Sequence, residues 1–126
     1  MLTKSELEIM ELMWKAEEPL TSSQIIDLSN NRSWKKSYVH LLLNSLVEKG
    51  MIEIVGFVKT TKNYARTFKA KVAKEDYTVG RFTSMQSYEQ DDIPAIVSAL
   101  VQRTENASLI DRLDEMIENR KAELLK

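Results

Sequence analysis

The sequence of 126 residues contains no cysteine, which excludes a disulfide scaffold and every thiolate metal site. A single histidine, His40, excludes multi-histidine metal centres and leaves any nucleophile–histidine–acid triad one possible base. Three glycines and two prolines are too few for an all-β architecture with many tight turns, and no glycine-rich phosphate loop occurs. No apolar run approaches the roughly 18 residues of a membrane span. The opening segment, MLTKSELEIMELMWKAEE, places five acids among 18 residues and has no signal-peptide pattern. These absences lead us to expect no enzyme, no metal, no cofactor and no membrane partner, and an intracellular, cytoplasmic location. What is present is the composition of a folded protein, 43% hydrophobic and 29% charged, long enough for one domain or two very small ones.

The formal net charge of −1 conceals a strong asymmetry. Residues 1–31 carry a net of −4, residues 32–73 a net of +7, and residues 74–126 a net of −4. The central block holds Arg32, Lys35, Lys36, Lys49, Lys59, Lys62, Arg66, Lys69 and Lys71 against Glu48 and Glu53 alone. A basic block between acidic ends points to a polyanion-binding face on one part of the chain and a different task for the rest.

Periodicity divides the chain further. Thr3-Lys4-Ser5-Glu6 has the spacing of a capping box, and Leu7, Met10, Met13 and Trp14 recur at helical intervals, so a helix is expected over about 4–16. Thr21-Ser22-Ser23-Gln24 repeats the box ahead of a short helix at roughly 22–30. A third helix is expected from Trp34 to Lys49, with Ser33 as N-cap and Gly50 at the C′ position. Its apolar stripe is Val39, Leu42, Leu43, Leu46 and Val47. The opposite face carries Ser37, Tyr38, Leu41, Asn44, Ser45 and Glu48. Met51–Val58 and Tyr64–Val72 then alternate as two strands around a polar tip at residues 59–63. Three helices followed by a hairpin are the order of a winged helix-turn-helix, with the third helix as recognition helix and the hairpin as wing.

Residues 74–126 read as helical throughout: about 75–90, a segment starting at Asp91 or Asp92 with Pro94 in its first turn, and about 107–125 capped by Asn106. The fold class is therefore mainly α with a small β wing. A winged-helix DNA-binding domain is expected over 1–73 and a helical dimerisation domain over 74–126. Helices of this size leave more apolar surface than a small winged helix covers, so a homodimer is expected. Its candidate contacts are Tyr77, Phe82, Ile96, Leu100, Leu109, Ile110, Leu113, Met116, Ile117 and Leu124.

Three stretches carry a family resemblance. Ser5 through Trp14 (SELEIMELMW) resembles the opening helix of the penicillinase-repressor family, to which copper repressors are related. Trp34 through Ile52 resembles that family's recognition helix and strand entry, and Phe68 through Tyr77 (FKAKVAKEDY) its exit from the wing. The resemblance implies a bacterial transcriptional repressor that binds a dyad-symmetric, double-stranded DNA operator as a homodimer, one recognition helix per half-site. Its release would come from a sensor protease or a small-molecule inducer. Two departures stand out. Without cysteine the copper-type metal switch is excluded. The family's Asn-Phe cleavage bond is missing, since the matching helix reads Ile96-Val97-Ser98-Ala99-Leu100-Val101.

On this scaffold Lys35 and Lys36, at the start of the recognition helix, are expected to contact phosphate, joined by Ser22 from the preceding helix. Ser37, Tyr38, Leu41 and Asn44 are candidate base readers, and Ser45 is counted with them. Family members often carry Lys, Thr, Thr and Arg at the positions of Ser37, Tyr38, Leu41 and Ser45, so an operator altered from the family's usual one is expected. Serine at position 45 cannot make the bidentate contact of arginine with guanine. Lys59, Lys62 and Arg66 line the wing. Two other readings stay open on the residues alone: a ligand-responsive winged-helix regulator using Tyr77, Phe82 and Tyr88, and a winged helix used for protein–protein contact.

Overall fold

Both capping boxes form. In the computed structural model, which describes residues 1–126, the Thr3 hydroxyl accepts from the Glu6 N–H and the Glu6 carboxylate from the Thr3 N–H, opening α1 over Lys4–Lys15. Thr21 and Gln24 do the same for α2, Ser22–Leu28. These reciprocal bonds satisfy orphan donors at each N-terminus. The segment expected to begin the third helix instead holds a 3-10 turn at Lys36–Tyr38, followed by α3 at Val39–Glu48. Ser33 is not its N-cap. Its N–H and hydroxyl both donate to Glu8 of α1, at 2.8 and 2.5 Å, tying the loop to the first helix.

Helix α3 ends in a Schellman arrangement. The Gly50 N–H donates to the Val47 carbonyl at 3.0 Å and the Met51 N–H to the Leu46 carbonyl at 2.9 Å. Gly50 takes φ +74°, the left-handed conformation that this motif requires. The turn delivers the chain into β1 (Ile52–Lys59), which pairs antiparallel with β2 (Tyr64–Ala70). The register slips at a bulge between Ile54 and Gly56. Beyond the hairpin, Leu20 bridges to Phe68 on the other side of β2, so the base of the wing is pinned to the α1–α2 connection.

The core gathers Ile9, Met10 and Met13 of α1, Ile25 of α2, Val39, Leu43 and Leu46 of α3, and Leu20, Trp34, Met51, Ile52 and Phe68. The expected α3 stripe thus faces inward. Trp14 packs partly buried against this core, donates its indole N–H to the Val72 carbonyl at 2.8 Å, and meets Tyr77 with ring centroids 5.7 Å apart.

Helix α4 runs over Lys74–Thr83, ending three residues after Gly80 and well short of the expected Gln90. A 3-10 turn at Gln90–Asp92 leads into α5 (Ile93–Val101), with Pro94 in its first turn, and α6 (Ala107–Leu124) follows, its Asn106 cap accepting from the Ser108 N–H. By contacts the chain forms two compact units, Met1–Arg81 and Phe82–Lys126. The first unit therefore takes in most of α4 and, with it, Tyr77. No residue of the second unit is buried. No helix of the chain is long and apolar enough to cross a membrane.

Candidate nucleic-acid interface

The third helix of the first unit presents one face to its core and the other to solvent. Leu41, 65% exposed, stands on that outer face with His40 and Asn44, and the 3-10 turn just ahead of it exposes Ser37 and Tyr38, the latter 49% exposed. Leu41 lies in the first turn of α3, outside the core that the opposite face builds. Lys35 and Lys36 are exposed just ahead of α3. Lys35 caps the 3-10 turn and Lys36 opens it, so neither sits in the first turn of a long α-helix or opposes an established helix dipole.

Ser45 departs from the expectation. It is half-buried, and its hydroxyl donates to Glu6 Oε2 at 2.5 Å. The 3.6-residue period carries Ser45 round toward α1, off the outer face. Glu6, 2% exposed, is the hub there: it also accepts from the Lys49 ammonium at 2.7 Å and from the Thr3 N–H at 2.8 Å. Burial acts to raise its pKa, but the hydrogen bonds from Lys49, Ser45 and Thr3 outweigh it and hold the carboxyl down to about 2. The network clamps the C-terminal half of α3 to the start of α1, which fixes how the helix leans. Ser45 and the ammonium of the part-exposed Lys49 are thereby engaged by Glu6. Sequence reading missed Glu6 in this role because its capping function already accounted for it.

Trp34, expected as the first residue of the third helix, lies ahead of the 3-10 turn. It is buried, with the Arg32 guanidinium 5.4 Å from its ring centroid, and its indole N–H has no partner within the chain. It belongs to the core.

The wing projects Lys59, Lys62 and Arg66 into solvent. The pairings Phe57–Arg66 and Lys59–Tyr64 place an aromatic and a cation side by side twice near its tip. Between α3, the start of α2 and β2 lies a cavity of about 340 Å³ lined by Ser22, His40, Leu43, Asn44, Tyr64, Ala65, Arg66 and Phe68. It brings together three residues that sequence reading had assigned separately, Ser22, Asn44 and Arg66, and adds His40 and Tyr64. The signal for Tyr64 was its alternation with Arg66 and Phe68. What distance in sequence concealed was that this strand face turns toward α3.

Of the residues expected at a dimer contact, Tyr77 is instead engaged within the first unit, against Trp14. In the second unit Phe82, Ile96, Ile110 and Leu113 are half-buried, while Leu100, Leu109, Met116, Ile117 and Leu124 are exposed. Helices α5 and α6 enclose an apolar cleft of about 390 Å³ lined by Val97, Leu100, Val101, Leu109, Leu113 and Met116 together with Thr104 and Arg112. No group of three or more histidine, aspartate or glutamate side chains is arranged to hold a metal ion.

Among known families, the model of the penicillinase repressor family matches residues 2–119, nearly the whole chain. No curated protein matches significantly. Among solved structures, Bacillus subtilis PadR in complex with operator DNA is similar at 17% identity and a TM-score of 0.48, covering 94% of this chain and 72% of that one. The adhesin competence repressor of Streptococcus pyogenes is similar at 18% identity and a TM-score of 0.41, covering 98% of this chain and 80% of that one. Both TM-scores fall below 0.5, so the winged-helix assignment stands on the element order and strand pairing themselves.

Proposed function

The chain belongs to the penicillinase repressor family of DNA-binding transcriptional repressors, and from that premise we propose that it acts in the cytoplasm as a homodimer on a dyad-symmetric operator, one α3 helix per half-site. The observation that carries the reading of the interface is the outer face of α3, where Leu41 and Tyr38 stand exposed between the lysines at its start and the basic wing. In this reading Lys35, Lys36, Lys59, Lys62 and Arg66 position the protein on phosphates, and Ser37, Tyr38, Leu41 and Asn44 read base edges. With leucine and serine where the family often has threonine and lysine, the preferred half-site is richer in thymine methyl contacts than in guanine contacts.

The dimer is supported by the second unit. An amphipathic helix pair that buries no residue on its own, yet exposes Leu100, Leu109, Met116, Ile117 and Leu124, gains its stability by covering that surface with another copy. Such a dimer places two recognition helices on one duplex. The release signal is then a ligand or protein partner rather than cleavage at an Asn-Phe bond, which this chain lacks.

The test is binding of the purified protein to the DNA upstream of its own gene, with excess nonspecific competitor, at several salt concentrations. A protected dyad site is expected. With about eight phosphate contacts per dimer, log K should fall against log salt with a slope of about −7. Replacing Lys35 and Lys36 together by alanine should reduce that slope by about 3 to 4. Absence of any site-selective binding at low salt would overturn the reading.

A further inference from the structure

We propose that Glu8 of α1, through Ser33, is a positioning residue for the recognition helix: it fixes the tilt of α3, and with it the discrimination between operator and other DNA. The inference rests on the DNA-binding reading above and adds to it a residue outside the expected contacts. Helix α1 carries two carboxylates two residues apart, which therefore leave the helix in different directions. Glu6 is buried and holds the far end of α3 through Ser45 and Lys49. Glu8 is half-buried and holds the chain ahead of α3, accepting from the Ser33 N–H at 2.8 Å and from its hydroxyl at 2.5 Å. The recognition helix is thus tied to the same neighbour at its approach and at its exit. A single tie leaves a helix free to swing about that point, and two ties along its length fix its tilt.

The rest of the approach supplies no comparable restraint. Arg32 acts locally, donating to the Ser29 carbonyl at 3.2 Å and lying over the Trp34 ring. Trp34 is buried in the core, but its indole N–H has no partner, so packing holds it without a directed bond. The bonds that reach from this segment to α1 all come from Ser33: the pair to Glu8, and a hydroxyl contact of 3.5 Å with Ser5. Hydrogen bonding from the Ser33 hydroxyl, opposed by partial burial, holds the Glu8 carboxyl below the usual carboxylate range. The group is ionised at neutral pH, so both of its bonds are charge-assisted and the stronger for it.

Tilt matters to one part of DNA binding and hardly to the other. Contacts with base edges need placement to about 0.5 Å and about 10–20°. Attraction of lysine and arginine to phosphates carries no sequence information and survives a change of angle. Loss of the Glu8–Ser33 tie lowers the fraction of molecules whose α3 stands at the reading angle. Operator affinity falls by that fraction, while nonspecific affinity holds.

The experiment uses full-length wild type, Glu8→Ala, Ser33→Ala, Ser33→Thr and the Glu8→Ala/Ser33→Ala double variant. Each is titrated against the selected operator duplex and against a scrambled duplex of the same length, at a temperature where circular dichroism shows it folded. Glu8→Ala is expected to lose about tenfold or more in operator affinity and to stay within about twofold of wild type on the scrambled duplex. Ser33→Ala, which keeps the backbone donor, should lose part of that selectivity. Ser33→Thr, which keeps both donors, should retain the wild-type ratio. The double variant should be no worse than Glu8→Ala alone, because the two residues act through one contact.

Proportionate losses on both duplexes would make Glu8 a plain stabiliser of the domain, and an unchanged operator affinity would mean that α3 is positioned without it. Either result overturns the inference while DNA binding stands. Additive losses in the double variant overturn it too, since the residues would then act separately. Should Glu8→Ala fail to fold, Ser33→Ala against Ser33→Thr carries the same test at an exposed position. A wild type with no preference for the operator overturns the DNA-reading function itself, and this inference with it.

Discussion

Glu6 shows how one side chain serves two levels of structure at once. It completes the capping box of α1 and holds Ser45 and Lys49 of the recognition-helix region. Its carboxyl is held down to about 2 from an ordinary 4.5. A depressed acid stabilises the fold fully above its unfolded pKa and loses that contribution as pH falls toward the folded value. The native state should therefore weaken between about pH 4.5 and pH 2 on this account. Glu8, lowered by the Ser33 hydroxyl, shifts in the same direction. Glu6→Gln should cost on the order of 2 kcal/mol at neutral pH, allowing for screening of the part-exposed Lys49, and should flatten the acid limb of the stability curve. Urea denaturation of both proteins at pH 7, 4 and 2.5 checks this. An unchanged acid limb would show that the carboxyl is not the group that titrates. Leu41 is the opposite kind of residue. Its side chain stands largely outside the core, and in the proposed function its role is the contact that it makes with a base edge.

At the scale of elements, the junctions decide where the recognition helix points. Gly50 is needed because the Schellman turn puts it at φ +74°. Nothing lies within 4 Å of an added Cβ, so the cost of Gly50→Ala is backbone strain alone, about 1 to 2 kcal/mol. For a chain of this size that lowers the melting temperature by several degrees, which calorimetry would register. A loss within error would mean that the turn relaxes to another conformation. The helix starts are a harder matter. The two capping boxes were legible as S/T-x-x-E/Q and form as expected. The start of α3 was not, because Ser33 satisfies the generic cap preference yet gives both its donors to Glu8, 25 residues away. A local preference lost to a tertiary contact that only the packed α1–α3 pair provides.

For the molecule as a whole, the two units differ in self-sufficiency. The first buries a core drawn from helices, loop and hairpin, and the second buries nothing. If a second copy covers α5 and α6, charges placed on that surface should separate the subunits. Leu109→Glu with Met116→Glu should shift the protein from dimer to monomer in sedimentation. It should also weaken operator binding by about a hundredfold or more, since each half-site is then bound alone. A variant that remains dimeric would move the contact elsewhere on the chain.

The sequence by itself determined the classes of chemistry that are absent, the basic middle of the chain, the amphipathic stripe of α3, and the three-helix-plus-hairpin order. These follow from composition and from periods of 3.6 and 2, which are local properties. It determined the family as well, because the resembling segments are contiguous. Only the tertiary structure decided that Ser45 turns to Glu6, that Tyr77 stacks on Trp14, that Trp34 is core, and that His40 and Tyr64 share a cavity with Ser22 and Arg66. Each of these depends on how one element leans against another. That lean is set by side-chain packing between residues far apart in the chain, which no period within a single element records.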